Sequence, residues 1–261
     1  MLSGRIRIAD LPDTLLGQGR YTFTTQEAAN ITGWSAVRPG LNRLEKAGVI
    51  FSPGRGFYVV IPAEMRGFGP LPAEWYIDGL MKHYGVPYYV GLLSAAAYHG
   101  ASHQSPQVFQ VITDHRLKDR QPGRVRLQFI YSGRVAQTPT ERRSVRTGYL
   151  EVSTKEATLF DLVAHPGAAA GFNNIATIAR ELGDLDVVEL ARVGRVRPKA
   201  QSRRVGWLLE HVVGLENLDG LRRVANPGKG SAAPLDPRAP VRGPLDAGWN
   251  VRVNSQVEPD L

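Results

Sequence analysis

The order of signals between Tyr21 and Ile61 leaves few folds open. Tyr21–Thr24 is short and β-favouring. Thr25 stands where a helix N-cap belongs, with Glu27 in the first turn and Ala28, Ala29 and Ile31 behind it. Thr32-Gly33 breaks that helix, Trp34 supplies a large apolar side chain, and Ser35 is placed to cap the next helix. Val37, Leu41, Leu44 and Gly48 then recur at helical spacing as an inward stripe. That stripe puts Pro39, Asn42, Arg43 and Lys46 on the opposite face, with Arg38 at its N-terminal flank. After Gly48, Val49–Phe51 and Phe57–Ile61 are strand-like runs joined by Ser52-Pro53-Gly54-Arg55-Gly56, the composition of a hairpin. An amphipathic helix over Ile8–Leu16 precedes the series. This succession predicts a winged helix–turn–helix, with Ala29 small where two helices cross and Gly33 where the backbone turns tightly.

A B-form major groove admits an α-helix, and Asn and Arg can read purine edges through paired hydrogen bonds. Ser35, Arg38, Asn42, Arg43 and Lys46 are therefore candidate DNA contacts, and Arg55 at the hairpin tip would reach a neighbouring backbone or minor groove. Proline is tolerated only in the first turn of a helix, so Pro39-Gly40 leaves open where this helix starts and which side chains reach bases.

The charge pattern supplies a second pointer. The 261 residues carry 32 Lys+Arg against 24 Asp+Glu, a formal charge of +8. The excess is concentrated: residues 116–146 hold nine basic and two acidic side chains, and residues 192–204 hold six basic and no acidic ones. Arg124 and Arg126 in the first run, and Arg195, Arg197, Lys199, Arg203 and Arg204 in the second, are candidate phosphate contacts. The chain has no cysteine, which excludes disulfide scaffolds, Cys-based zinc sites, iron–sulfur clusters and thiol nucleophiles. Zero cysteine fits a reducing bacterial cytoplasm. Residues 83–113 carry no Asp, Glu, Lys or Arg but contain three His, three Gln and two Pro, so they read as buried soluble core rather than a membrane span. Met1–Leu11 lacks the apolar stretch of a signal peptide.

The expected architecture is α+β, with a winged-helix domain over 1–62, a Pro/Gly-rich linker over 63–71 and a larger α+β domain over 72–261. In the latter, strands are expected at Val108–Thr113, Val125–Tyr131 and Tyr149–Val152. Helices are expected from Pro72 to about Tyr84, over Leu92–Tyr98, from a Thr154 cap to Pro166, and over Asn173–Leu182, Val187–Val193, Ala200–Val213 and Leu218–Val224. Residues 227–248 read as irregular, and 249–254 as a last strand.

Catalytic signals are weak throughout. Gly228-Lys229-Gly230-Ser231 lacks the upstream glycine and strand of a phosphate-binding loop. Ser94 lies inside an expected buried helix rather than on a nucleophile elbow. His99 and His103 have metal-ligand spacing, but Gly100 intervenes and no third ligand is evident, so core histidines are the better reading. Asp184 and Asp186 are better explained as acids opening the helix at Val187 than as a magnesium site. The sequence points to no enzyme, cofactor or metal.

Several stretches resemble one known family, the AbiEi antitoxins of bacterial type IV toxin–antitoxin systems. They are RYTFTTQEAA (Arg20–Ala29), GRGFYVVIPAE (Gly54–Glu64), YYVGLLSAAAYHGASHQ (Tyr88–Gln104), VSTKEATLFDLVAHP (Val152–Pro166), FNNIATIARELGDLD (Phe172–Asp186) and WNVRVNSQVEPDL (Trp249–Leu261). The resemblance implies a repressor that binds inverted repeats in its own promoter, alone or as a dimer or cooperative assembly. It also implies a C-terminal domain required for antitoxicity, and a nucleotidyltransferase-like toxin counteracted without a stable complex. The segment Ser35–Gly48 departs from the family in being short and in carrying Pro39-Gly40. Two rival readings remain at this stage: a module that sequesters the toxin directly, and an RNA binder that uses the basic runs.

Overall fold

The computed structural model describes residues 6–69, 71–101, 107–122 and 125–258. It is α+β, and its contacts divide into two compact units: Met1–Tyr88 with Gln107–Gly133 and Arg142–Leu150, and Tyr89–Pro106 with Arg134–Glu141 and Glu151–Leu261.

The first unit opens with α1 (Leu11–Gly17), β1 (Thr22–Thr24), α2 (Thr25–Thr32), α3 (Arg38–Lys46), β2 (Ile50–Gly54) and β3 (Phe57–Val60). The N-cap of α2 is Thr24, one residue earlier than the sequence suggests. Its hydroxyl accepts from the Glu27 N–H at 3.1 Å, while the Glu27 carboxylate accepts from the Thr24 N–H at 2.8 Å. That reciprocal pairing requires the acid three residues after the cap, which selects Thr24 over Thr25. Gly33, at φ +70°, ends the helix in a left-handed turn that a side chain would resist.

Strands β1, β3 and β2 form an antiparallel sheet in that order, with Phe23 opposite Tyr58 and Phe51 opposite Val59. Leu11 and Leu15 of α1, Ala28 of α2, Val37 and Leu41 at α3 and the inward side chains of the sheet close one apolar core. The winged helix–turn–helix expected from the sequence is therefore present. The unit continues with α4 (Ile77–Tyr84) and, after β4 (Tyr88–Val90) and α5 (Leu92–Tyr98), with the parallel pair β5 (Val108–Thr113) and β6 (Arg126–Tyr131).

Beyond β7 (Thr140–Val145) and β8 (Gly148–Ser153), the second unit is mainly helical: α6 (Lys155–Ala164), α7 (Phe172–Glu181), α8 (Val187–Arg195), α9 (Lys199–Leu208) and α10 (Asp219–Ala225). Thr154 caps α6 by accepting from the Ala157 N–H, and Asp186 caps α8 by accepting from Val188 and Glu189. Asp186 is thus a helix cap, as the bland reading of the Asp184/Asp186 pair has it. Strand β4 pairs in parallel with β8 through Val90 and Val152.

The stretch expected to be irregular contains two short strands, β9 (Ala233–Pro234) and β10 (Leu245–Asp246), on either side of β11 (Val251–Arg252). The fully buried Trp249 lies against α9, where a Cβ built on Gly206 would sit 2.1 Å from the indole. Gly206→Ala should therefore destabilise the protein by about 1–3 kcal/mol through overpacking, measured as a lowered urea midpoint with unchanged m-value.

Candidate nucleic-acid interface

Helix α3 has one buried and one exposed side. Val37, Gly40 and Leu41 face the core, whereas Arg38, Asn42, Arg43 and Lys46 are exposed. Pro39 occupies the first turn, where its missing N–H costs nothing, so the helix starts at Arg38 with Val37 as its cap. Ser35 is exposed but lies three residues before the helix and does not cap it, contrary to the sequence expectation. Gly40 has a packing reason: a Cβ there would meet the Ile8 side chain at 2.6 Å. The glycine that looked misplaced in a recognition helix lets that helix lie against the preceding segment.

Arg55 is exposed in the β2–β3 turn. Its carbonyl accepts a hydrogen bond from His83 Nε2 of α4 at 3.0 Å, and the His83 ring lies 5.7 Å from that of Phe57. Sequence reading missed His83, because nothing in its neighbourhood signals a contact made 28 residues upstream. At the other end of the module, burial works to raise the Glu27 carboxyl. The Thr24 N–H and the Arg20 guanidinium outweigh it and hold the group below the usual carboxylate range. The cap is therefore ionised across the neutral range.

The basic runs divide sharply. Arg124 lies outside the described residues. Arg126 is exposed and paired with Asp119. Arg195 and Lys199 are exposed in the second unit. Arg197 and Arg203 correct the sequence expectation: both are buried, and neither offers charge to a phosphate. Arg203 donates to the carbonyls of Ala225, Asn226, Lys229 and Ser231. Arg204 is half-buried and donates to the Pro234 carbonyl at 2.7 Å. Burial outweighs the nearby Asp236 charge and lowers its pKa.

Arg197 forms an ion pair with Asp161 at 2.9 Å and donates to Thr138 Oγ1 at 3.2 Å, while Tyr89 O–H donates to the other Asp161 oxygen at 3.0 Å. Burial pushes the Asp161 carboxyl up to about 6, with Arg197 and Tyr89 pulling against it. Burial and the Arg197 charge both lower His165. His99 is also interior, with Nε2 donating to the Ser153 carbonyl at 2.7 Å, as the core-histidine reading requires. His103 lies outside the described residues. Among the described residues no group of three or more His, Asp or Glu side chains is placed to hold a metal, and no helix is long and apolar enough to cross a membrane.

Two family models match the chain. Residues 10–61 match a model described as transcriptional regulator, AbiEi antitoxin, and residues 89–211 match the AbiEi antitoxin C-terminal domain. The chain belongs to the AbiEi antitoxin family. Together the two matches span well over half of its length. The winged helix–turn–helix built above is the regulator-type segment of this AbiEi protein. Among solved structures, the crystal structure of the RV2827C protein from Mycobacterium tuberculosis is similar, with a TM-score of 0.69 over 96% of this chain and 94% of that one. At 15% identity the likeness is one of fold. No curated protein matches the chain.

The buried pair gives a test of the second unit. Arg197→Met leaves Asp161 interior without its cation and should cost about 3–5 kcal/mol at pH 7. A carboxyl whose folded pKa exceeds its unfolded value loses stability as pH rises, so this deficit should shrink as pH is lowered from 7 to 5 and Asp161 takes up a proton. Adding Asp161→Asn should recover much of the loss at pH 7. Urea unfolding of wild type and both variants at the two pH values measures this.

Proposed function

We propose that this AbiEi protein is a DNA-binding antitoxin that represses its own operon and counteracts a nucleotidyltransferase-like toxin without forming a stable complex with it, in the bacterial cytoplasm. The observation that carries the DNA half is the split of α3. Its apolar side is locked into the core, and its free side presents Arg38, Asn42, Arg43 and Lys46 to solvent. Three cations and an amide on one exposed helix surface match the requirements for entering a major groove and reading purine edges. Arg55 in the wing supplies the neighbouring backbone contact, with its turn braced by His83. Ser35, exposed just ahead of α3, is a further backbone contact. Arg126, Arg195 and Lys199 remain as exposed candidates for additional phosphates. Binding to inverted repeats would bring two copies onto one operator. The protein acts by binding rather than by catalysis, with no cofactor.

Fluorescence anisotropy on the DNA upstream of the gene, against scrambled duplex and a structured RNA at several salt concentrations, tests the reading. Tight, sequence-preferring binding to the upstream duplex that weakens steeply with salt is expected. Asn42→Ala should cost about 1–3 kcal/mol on the operator and little on scrambled DNA. Lys46→Ala should weaken both and reduce the salt slope by about one unit. Sequence-blind binding, or preference for the RNA, would overturn the repressor reading. A stoichiometric complex on co-expression with the product of the adjacent gene would overturn action without a complex.

A further inference from the structure

We propose that His83 of α4 is a positioning residue for the wing: it holds the Arg55 backbone, so that the Arg55 side chain meets DNA from a turn already ordered. The proposal rests on the DNA-binding reading above and deepens it, by assigning part of the interface to a helix beyond the winged helix–turn–helix. His83 belongs to neither of the segments that the family models match.

The sequence makes the β2–β3 turn permissive. Gly54 and Gly56 flank Arg55, and glycine has more backbone freedom than any other residue. Gly56 uses that freedom, with φ at +75°. Ordering so permissive a turn during binding would weaken the contact it carries. Here three successive carbonyls at the tip are each held by a different element. The Gly54 carbonyl accepts from the Ser52 hydroxyl of β2 at 2.7 Å, and the Gly56 carbonyl accepts from the Thr25 N–H of α2 at 2.9 Å. Between them, the Arg55 carbonyl accepts from His83 at 3.0 Å. A carbonyl can only accept, so Nε2 of this imidazole carries a proton.

Helix α4 is seated to deliver that donor. A Cβ on Gly54 would fall on the Tyr84 hydroxyl and lie 2.7 Å from Leu80, so the wing backbone touches the side chains of α4. Gly79 leaves similar room for Phe57, whose ring would stand 3.1 Å from an added Cβ. The same Phe57 is buried, and its ring centroid lies 5.7 Å from that of His83. Packing thus locates the imidazole, and the hydrogen bond locates the carbonyl. Fixing that carbonyl restricts the torsions on either side of it, which belong to Arg55 and Gly56. The Arg55 side chain stays exposed above a settled backbone.

A double-mutant cycle on DNA affinity tests this, with thermal unfolding to confirm that each variant is folded. His83→Ala should weaken binding to the upstream and scrambled duplexes alike, roughly fivefold, because Arg55 contacts the backbone rather than bases. Arg55→Ala should weaken both and reduce the salt slope by about one unit. In the Arg55→Ala protein, adding His83→Ala should cost nothing more. His83→Gln, which keeps an N–H donor at similar reach, should restore most of the affinity. His83→Phe, which keeps only the ring, should not. In the free protein, the Gly56 amide should show a lowered ¹⁵N heteronuclear NOE in His83→Ala, with the amides of α3 unaffected.

Unchanged affinity of His83→Ala overturns the proposal, even where its melting temperature falls, because His83 would then serve stability alone. An equal loss with and without Arg55 also overturns it, and would make His83 a DNA contact in its own right. Full affinity of His83→Phe, or an unchanged Gly56 NOE, removes the hydrogen bond from the account. Lys46→Ala separates the two levels. If it weakens binding while His83→Ala does not, only the positioning assignment falls. If the native protein fails to bind DNA, both fall.

Discussion

The orientation of α3 depends on a close approach between one glycine and one isoleucine. Helix α3 lies near enough to the preceding segment that Gly40 has no room for a methyl group beside Ile8. With Val37 and Leu41 buried in the same direction, the helix has one way to sit in its core. Everything polar on it is then turned outward together. The cationic side is thus a by-product of packing, since no interaction among Arg38, Asn42, Arg43 and Lys46 is needed to align them. The capping box at Thr24 and the left-handed turn at Gly33 serve the same end by fixing where α2 begins and stops.

The second unit solves a different problem. A charged pair is costly to bury, yet Arg197 and Asp161 are both interior. The cost is offset by spreading hydrogen bonds over Tyr89 and Thr138, which come from separate parts of the chain. Such a cluster forms only when all of these segments reach their native positions. It therefore favours one arrangement of the helices over apolar alternatives of similar burial.

Much of the winged helix was legible because its elements are short-range: caps, a glycine turn, a helical stripe and a hairpin lie within 41 consecutive residues of sequence. The second unit's helices were also legible from their apolar periodicity and from the Thr154 and Asp186 caps. Strand β7 was not. Its residues Thr140 to Val145 alternate between exposed and half-buried, so neither side carries the apolar repeat that marks a strand. Strand β4 is only three residues long. Side-chain fate was the least legible property. Arg195 and Arg197 are two positions apart in one basic run, yet one is exposed and the other buried, because successive positions on and after a helix end point in different directions. Composition supplies the charge but not the direction in which it faces.

Arg203 changes the character of the segment it touches. Residues 225–231 are rich in glycine and polar side chains and resemble a linker, yet four of their carbonyls converge on one guanidinium. A single side chain here stands in for the ladder that a strand would otherwise provide. The path of the segment is set by the reach of that planar group, so its length is not free to vary. Related chains that add or remove residues in this stretch would have to replace the arginine with a different anchor or refold the turn altogether.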